Sequence, residues 1–201
     1  MDSKINLKDQ IVNETIKILS EGGIETLSLR GVAKKLNVTH QAPYHYFSDK
    51  AALLNEVKKQ GFKQLGEVME KASYPKSAPP FQRLKKVGEA YFDFCTNNKG
   101  LFRVMFSPTS EMTNERVPEA VAAFQILLEP IEQLQQEGYL KGNNTELIAL
   151  LGWTSMHGLV SLANENYPVL GGKFSIQQLS RMMIAQLHTL MGEKSGGINL
   201  L

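Results

Sequence analysis

The chain has 201 residues, 22 Lys+Arg against 20 Asp+Glu, 42% hydrophobic residues and a single cysteine. That length and balance suit one or two globular domains with a buried core and exclude wholesale disorder, fibrous repeats and a disulfide scaffold. A net charge of +2 excludes a polybasic nucleic-acid arm, so any work on phosphate must rest on a few placed groups.

Apolar residues recur at helical spacing from end to end, and alternation of period two is scarce, so the expected fold is all-α. Leu7, Ile11, Val12, Ile16 and Leu19 form a first stripe, which Gly22-Gly23 should end. Ser28 is an N-cap for a short second helix with Leu29, Val32, Ala33 and Leu36 on its inner face. Asn37 and Val38 break the pattern, and Thr39 is the candidate cap of a third, very short helix carrying Ala42, Tyr46 and Phe47. Ser48-Asp49 opens a long helix running to about Lys71, with a capping hydroxyl and an acid in its first turn.

Ser73–Pro80, with three prolines, reads as a linker. Beyond it lie a stripe from Phe81 to Cys95, a short apolar helix (Leu101, Phe102, Met105, Phe106) stopped by Pro108, and a stripe from Val121 to Leu134. Pro130 should kink or break that last stripe, and Gly138 should close it. Two further segments, Glu146–Ala163 and Ile176–Met191, are apolar nearly all round, a pattern that calls for burial on every side. The tail, residues 193–201, has no periodic pattern.

Helix, three-residue break, helix is the helix-turn-helix arrangement. Its turn needs a left-handed residue, and Asn37 is the best non-glycine candidate. Val38 is expected to enter the small core, with Tyr46 and Phe47 beside it. Ser28 and Thr39 can cap helices and offer hydroxyls to phosphate, or can serve as caps alone. Arg30, Lys34 and Lys50 can meet the DNA backbone as charges, and Tyr44 can hydrogen-bond a phosphate oxygen. His40, Gln41 and His45 project where base edges would be read; Gln can bond adenine bidentately.

No glycine-rich phosphate loop, G-x-S-x-G, H-E-x-x-H or framed carboxylate pair is present, so an enzyme is not expected. There is no Cys/His cluster with zinc spacing, and no metal or other cofactor is expected. No uninterrupted apolar run reaches roughly 18 residues and the N-terminus lacks an apolar signal segment, so the chain reads as cytoplasmic, with no membrane partner.

Residues 23–57, GIETLSLRGVAKKLNVTHQAPYHYFSDKAALLNEV, resemble the DNA-binding domain of the TetR family of bacterial transcription regulators. Ser28, Ala33, Val38-Thr39, Tyr44-His45-Tyr46-Phe47, Lys50 and Leu53 carry the resemblance. Two positions depart from the family pattern: Asn37 stands for the turn glycine and Tyr46 for a histidine. Trp153-x-x-x-His157-Gly158 and the segment KGLFRVMFSP resemble one class of C-terminal domain in that family.

The resemblance implies an N-terminal three-helix helix-turn-helix domain (1–50), a connecting helix (51–75), a helical effector-binding and dimerisation domain (76–192) and a flexible tail (193–201). It implies a homodimer on a palindromic operator in double-stranded DNA, most simply a repressor released by a small hydrophobic or amphipathic effector. Control by a protein partner and activation in place of repression are alternatives, as is, more remotely, a helical enzyme. Candidate effector residues are Tyr91, Phe92, Cys95, Phe102, Met105, Phe106, Phe124, Leu128, Trp153 and His157, each of which also fits a purely structural core role. Candidate dimer residues on the two most apolar segments are Leu151, Leu159, Leu162, Leu179, Met183 and Leu187.

Overall fold

The computed structural model describes residues 6–107, 117–140 and 144–166, together with 175, 178–180 and 182. These form eight α-helices and two 3-10 turns, with no strand among the described residues. Most of the expected Ile176–Met191 helix, including Met183 and Leu187, lies outside the described residues, as do Pro108 and the 193–201 tail. The chain divides into two compact units: residues 1–64 with 98–119, and residues 65–97 with 120–201.

In the first unit α1 (Leu7–Gly22) packs against α2 (Leu29–Lys35) and α5 (Lys99–Phe106). Asn6 caps α1 by accepting from the Asp9 N–H at 2.9 Å. Gly23 ends it as the sequence anticipates, at φ 74°, with its N–H returned to the Leu19 carbonyl. Ile11, Leu19, Val32, Ala33, Leu53 and Val57 are buried together as the small core. A Cβ on Gly100 would lie 2.0 Å from the Leu19 carbonyl oxygen, so α5 and α1 meet at a contact only glycine permits. Gly61 in α3 (Lys50–Ala72) is similarly crowded by Met105 and Leu101.

α3 begins in the first unit and ends in the second, spanning roughly 35 Å at about 1.5 Å per residue. Its cap differs from the expectation. The Asp49 carboxylate, not the Ser48 hydroxyl, accepts the Ala52 N–H at 2.8 Å, and Ser48 donates to Asp49 at 3.1 Å. A carboxylate is the stronger acceptor beside the positive helix end. The Ala52 N–H first and the Ser48 hydroxyl second hold Asp49 below the ordinary carboxylate pKa.

The second unit contains α4 (Pro80–Asn97), α6 (Pro118–Gln125), α7 (Leu128–Gln136) and α8 (Thr145–Asn164), with α4, α7 and α8 packed pairwise. Pro118 and Glu119, at the start of α6, group with the first unit. The stripe expected from Val121 to Leu134 is broken into α6 and α7, and Pro130 sits in the first turn of α7, where its missing N–H costs nothing. Gly138 closes α7 at φ 102°.

α8 buries only Ala149, Met156, Val160 and Asn164. Leu150 and Leu151 stay exposed at 44% and 46%. Over 18 residues its mean hydropathy is 1.2, so by length and composition alone it meets the criterion for crossing a membrane that the uninterrupted runs do not meet. Yet Thr154, Ser155, His157 and Ser161 interrupt it, and it packs on α4 and α7.

Candidate functional site

The break after α2 follows from backbone chemistry. Ser28 Oγ accepts the Gly31 N–H at 3.0 Å and caps α2. At the other end Asn37 adopts φ 55°. Its N–H returns to the Lys34 carbonyl at 3.2 Å, and the Val38 N–H returns to Ala33 at 3.0 Å. This pair of bonds is the Schellman closure, with asparagine at the left-handed position that glycine usually fills. Val38 is half-buried.

The third element departs from the expected helix. Only Ala42–His45 is helical, as a 3-10 turn, and Thr39 makes no side-chain cap. Pro43 explains the difference. It has no N–H to return to Thr39, and it disfavours the α region for Ala42. The remaining bonds run mostly three residues back: Ala42 to Thr39, Tyr44 to Gln41 and Tyr46 to Pro43.

The tighter turn also re-aims Tyr46. In an α-helix Ala42 and Tyr46 would lie about 40° apart on one face; at three residues per turn they lie about 120° apart. Tyr46 is therefore 46% exposed, against the expectation that it packs with Phe47. Pro43 and Phe47 alone anchor the segment.

The candidate DNA groups other than Lys50 lie on α2 with its cap and on the segment from Thr39 to His45. Ser28, Arg30, Lys34, Thr39, His40, Gln41, Tyr44 and His45 are all exposed, Tyr44 at 45%. Arg30 and Lys34 are one turn apart on α2. Lys50 is half-buried and donates to the Ile24 carbonyl at 2.8 Å, which fixes one end of α3 to the turn before α2. Its ammonium retains two further donors. Tyr46, 46% exposed and two residues after Tyr44, is a surface residue that sequence reasoning missed.

The effector candidates fall into two groups. Phe102, Met105 and Phe106 lie in the first unit, where Phe106 meets Phe62 edge-on at 5.3 Å and Phe102 at 5.0 Å. Tyr91, Phe92, Cys95, Phe124, Leu128, Trp153 and His157 lie in the second, with Phe124 and Leu128 half-buried. Four of these seven come together between α4 and α8. Tyr91 Oη lies 2.8 Å from His157 Nδ1, and the Trp153 ring lies 5.2 Å from the His157 ring. Cys95, one turn beyond Tyr91, shares its hydroxyl. Burial lowers the His157 pKa, raises that of Tyr91 and pushes the Cys95 thiol up to about 12. The cluster is thus uncharged at neutral pH, and its thiol is a poor nucleophile.

Sequence reasoning also missed Arg83, which is 0% exposed. Its guanidinium donates to the Ser73 carbonyl (3.1 Å) and hydroxyl (3.3 Å), to Gln133 (2.9 Å) and to Glu129 (2.9 Å). It ties the residue just past α3 to α4 and α7. Only its adjacency to the Phe81–Leu84 stripe hinted at burial. Of the dimer candidates, Leu151 is exposed while Leu159, Leu162 and Leu179 are half-buried. No group of three metal-ligating side chains occurs among the described residues.

A capped helix, a left-handed asparagine turn and an exposed, polar third element define a helix-turn-helix DNA-binding protein. Residues 11–57 match the family model for bacterial regulatory proteins of the TetR family, and residues 84–187 match the tetracyclin repressor-like C-terminal domain. The chain belongs to the TetR family of transcriptional regulators. It is 26% identical over 97 residues to the HTH-type transcriptional regulator BetI of Stenotrophomonas maltophilia, a match covering 48% of this chain and 50% of that protein. The fold superposes on a protein of unknown function from Rhodococcus sp. RHA1 with TM-score 0.80 and 21% identity, covering 94% and 96% of the two chains. It also superposes on the TetR family regulator PfmR from Thermus thermophilus with TM-score 0.67 and 19% identity, covering 96% and 99%.

Proposed function

We propose that this regulator is a cytoplasmic repressor that binds a palindromic operator as a homodimer and is released by a small hydrophobic or amphipathic effector. The observation that carries the DNA half is the exposure of Thr39, His40, Gln41, Tyr44 and His45 on one short segment pinned by Pro43 and Phe47. Residues 1–50 are the reading head, 51–75 the connection, and 76–192 the effector and dimer domain. Leu150 and Leu151, exposed on an apolar helix, support pairing of two copies through α8. Half-sites one DNA turn apart follow from such a two-fold.

In this reading the effector binds against α4 and α8 at the Tyr91–His157 pair. Its differential affinity for two conformations moves the reading heads out of register, and a bias of about 1–3 kcal/mol changes operator occupancy many-fold. α3 carries the bias, its end held by Arg83 to α4 and α7. No catalytic step enters this scheme.

Selection of bound duplexes from a random pool tests the reading, repeated with a metabolite library. A palindromic consensus whose binding is relieved by one library member is the expected result. A consensus with no two-fold symmetry, or one whose binding no compound alters, contradicts the dimer or the effector arm respectively.

A further inference from the structure

Asn164 ends α8 and is only 5% exposed. Its Nδ2 donates to the Cys95 carbonyl at 3.3 Å. Its Oδ1 is buried and has no hydrogen-bond partner among the described residues. An unsatisfied buried acceptor is costly, and folded proteins retain few of them without a reason.

Position supplies the reason. His157 lies seven residues before Asn164, two turns back on the same face of α8, and Tyr91 lies one turn before Cys95 on α4. Two rungs therefore join the same pair of helices. Tyr91 closes the first rung on His157, while the second, Cys95 with Asn164, leaves an acceptor unmatched. Oδ1 is an uncharged acceptor in a buried position, where a charged donor would carry the full cost of desolvation, so the matching donor is a neutral one.

We propose that Asn164 Oδ1 accepts a hydrogen bond from a hydroxyl or amide N–H of the effector, whose apolar body runs along α8 toward His157, two turns away. The assignment rests on the effector reading above and narrows it to ligands with an apolar body and one neutral donor. A site built to bond a hydroxyl rejects the analogue that lacks it, because the acceptor is then left unpaired.

The test compares octanol with octyl methyl ether on the full-length protein, followed by thermal shift and titration. The wild type should bind the alcohol about tenfold or more tightly than the ether. Asn164→Leu, which replaces the carboxamide by an apolar group of similar size, should bind both alike; it also frees the Cys95 carbonyl, so its ligand-free melt is expected a few degrees lower. Asn164→Met repeats the comparison should the leucine variant not fold. Equal affinities in the wild type overturn the donor site alone. A leucine variant that still prefers the alcohol about tenfold also overturns it, since Oδ1 is then not the acceptor. No binding of either probe overturns the effector reading on which the site depends.

Discussion

Arg83→Met is a sharp test of how the second unit is held together. The substitution keeps a long unbranched side chain but removes every hydrogen bond that Arg83 makes. Breaking a buried pair from one side costs about 3–5 kcal/mol when the remaining charge is trapped. Glu129 is not trapped: its side chain is 44% exposed and it keeps Lys76. The cost therefore falls on Ser73, which is fully buried and loses partners for both its carbonyl and its hydroxyl. At about 1–3 kcal/mol per orphaned group, less the apolar gain of methionine, the expected loss is about 3 kcal/mol. At roughly 2–4 °C per kcal/mol that is on the order of 10 °C in Tm. Calorimetry should show the drop, and Arg83→Lys, which cannot span all three partners, should show most of it. A loss below about 1 kcal/mol for Arg83→Met would refute the reasoning, since it would mean Ser73 finds other partners at no cost.

Three further outcomes follow from the same geometry. Gly100→Ala should cost about 3 kcal/mol or more, or prevent folding, because its Cβ would meet the Leu19 carbonyl oxygen; urea unfolding checks it. His157 is held below its ordinary pKa of 6.5 by burial, so the unfolded chain takes up a proton first as pH falls. Stability should be full above about pH 6.5 and decline below it, and His157→Gln should flatten that part of the profile. Glu129 has a lowered pKa, caused first by Lys76 and then by Arg83, so its contribution is present above the ordinary carboxylate range and lost at lower pH. Arg83→Met should weaken that acid dependence, as measured by thermal melts between neutral and acid pH.

The parts of the fold read correctly in advance were those set by local chemistry. Gly23 and Asn37 stand where the backbone needs positive φ, and each was legible because few residues tolerate it. Ser28 was legible as a cap for the same reason of short range. The third element departs from the helical spacing of Ala42, Tyr46 and Phe47 because Pro43 decides which backbone bonds can form. The sequence points to the Ser48 hydroxyl as the cap and Asp49 as a first-turn acid, and one residue of register gives the cap to Asp49 instead.

Long-range polar structure was beyond reach. Arg83 gathers Ser73, Glu129 and Gln133 from positions up to 50 residues away, and no spacing announces that. Asn164 falls one residue past the apolar segment Glu146–Ala163. Its buried, unmatched oxygen appears only once α4 is packed alongside. By contrast, Tyr91 with Cys95 and Trp153 with His157 stand one turn apart in the sequence, and residues so spaced on facing helices meet when those helices pack.

The central claim is that the short segment from Thr39 to Tyr46 reads DNA through a few placed groups. Its most direct measurement is the affinity of Gln41→Ala and Tyr44→Ala for the selected operator and for a scrambled duplex, each across a salt series. Gln41→Ala should lose about tenfold or more on the operator, with little change on the scrambled duplex. Tyr44→Ala should weaken both without altering the consensus. If both variants bind the operator as the wild type does, with the same salt slope, this segment is not the reading head.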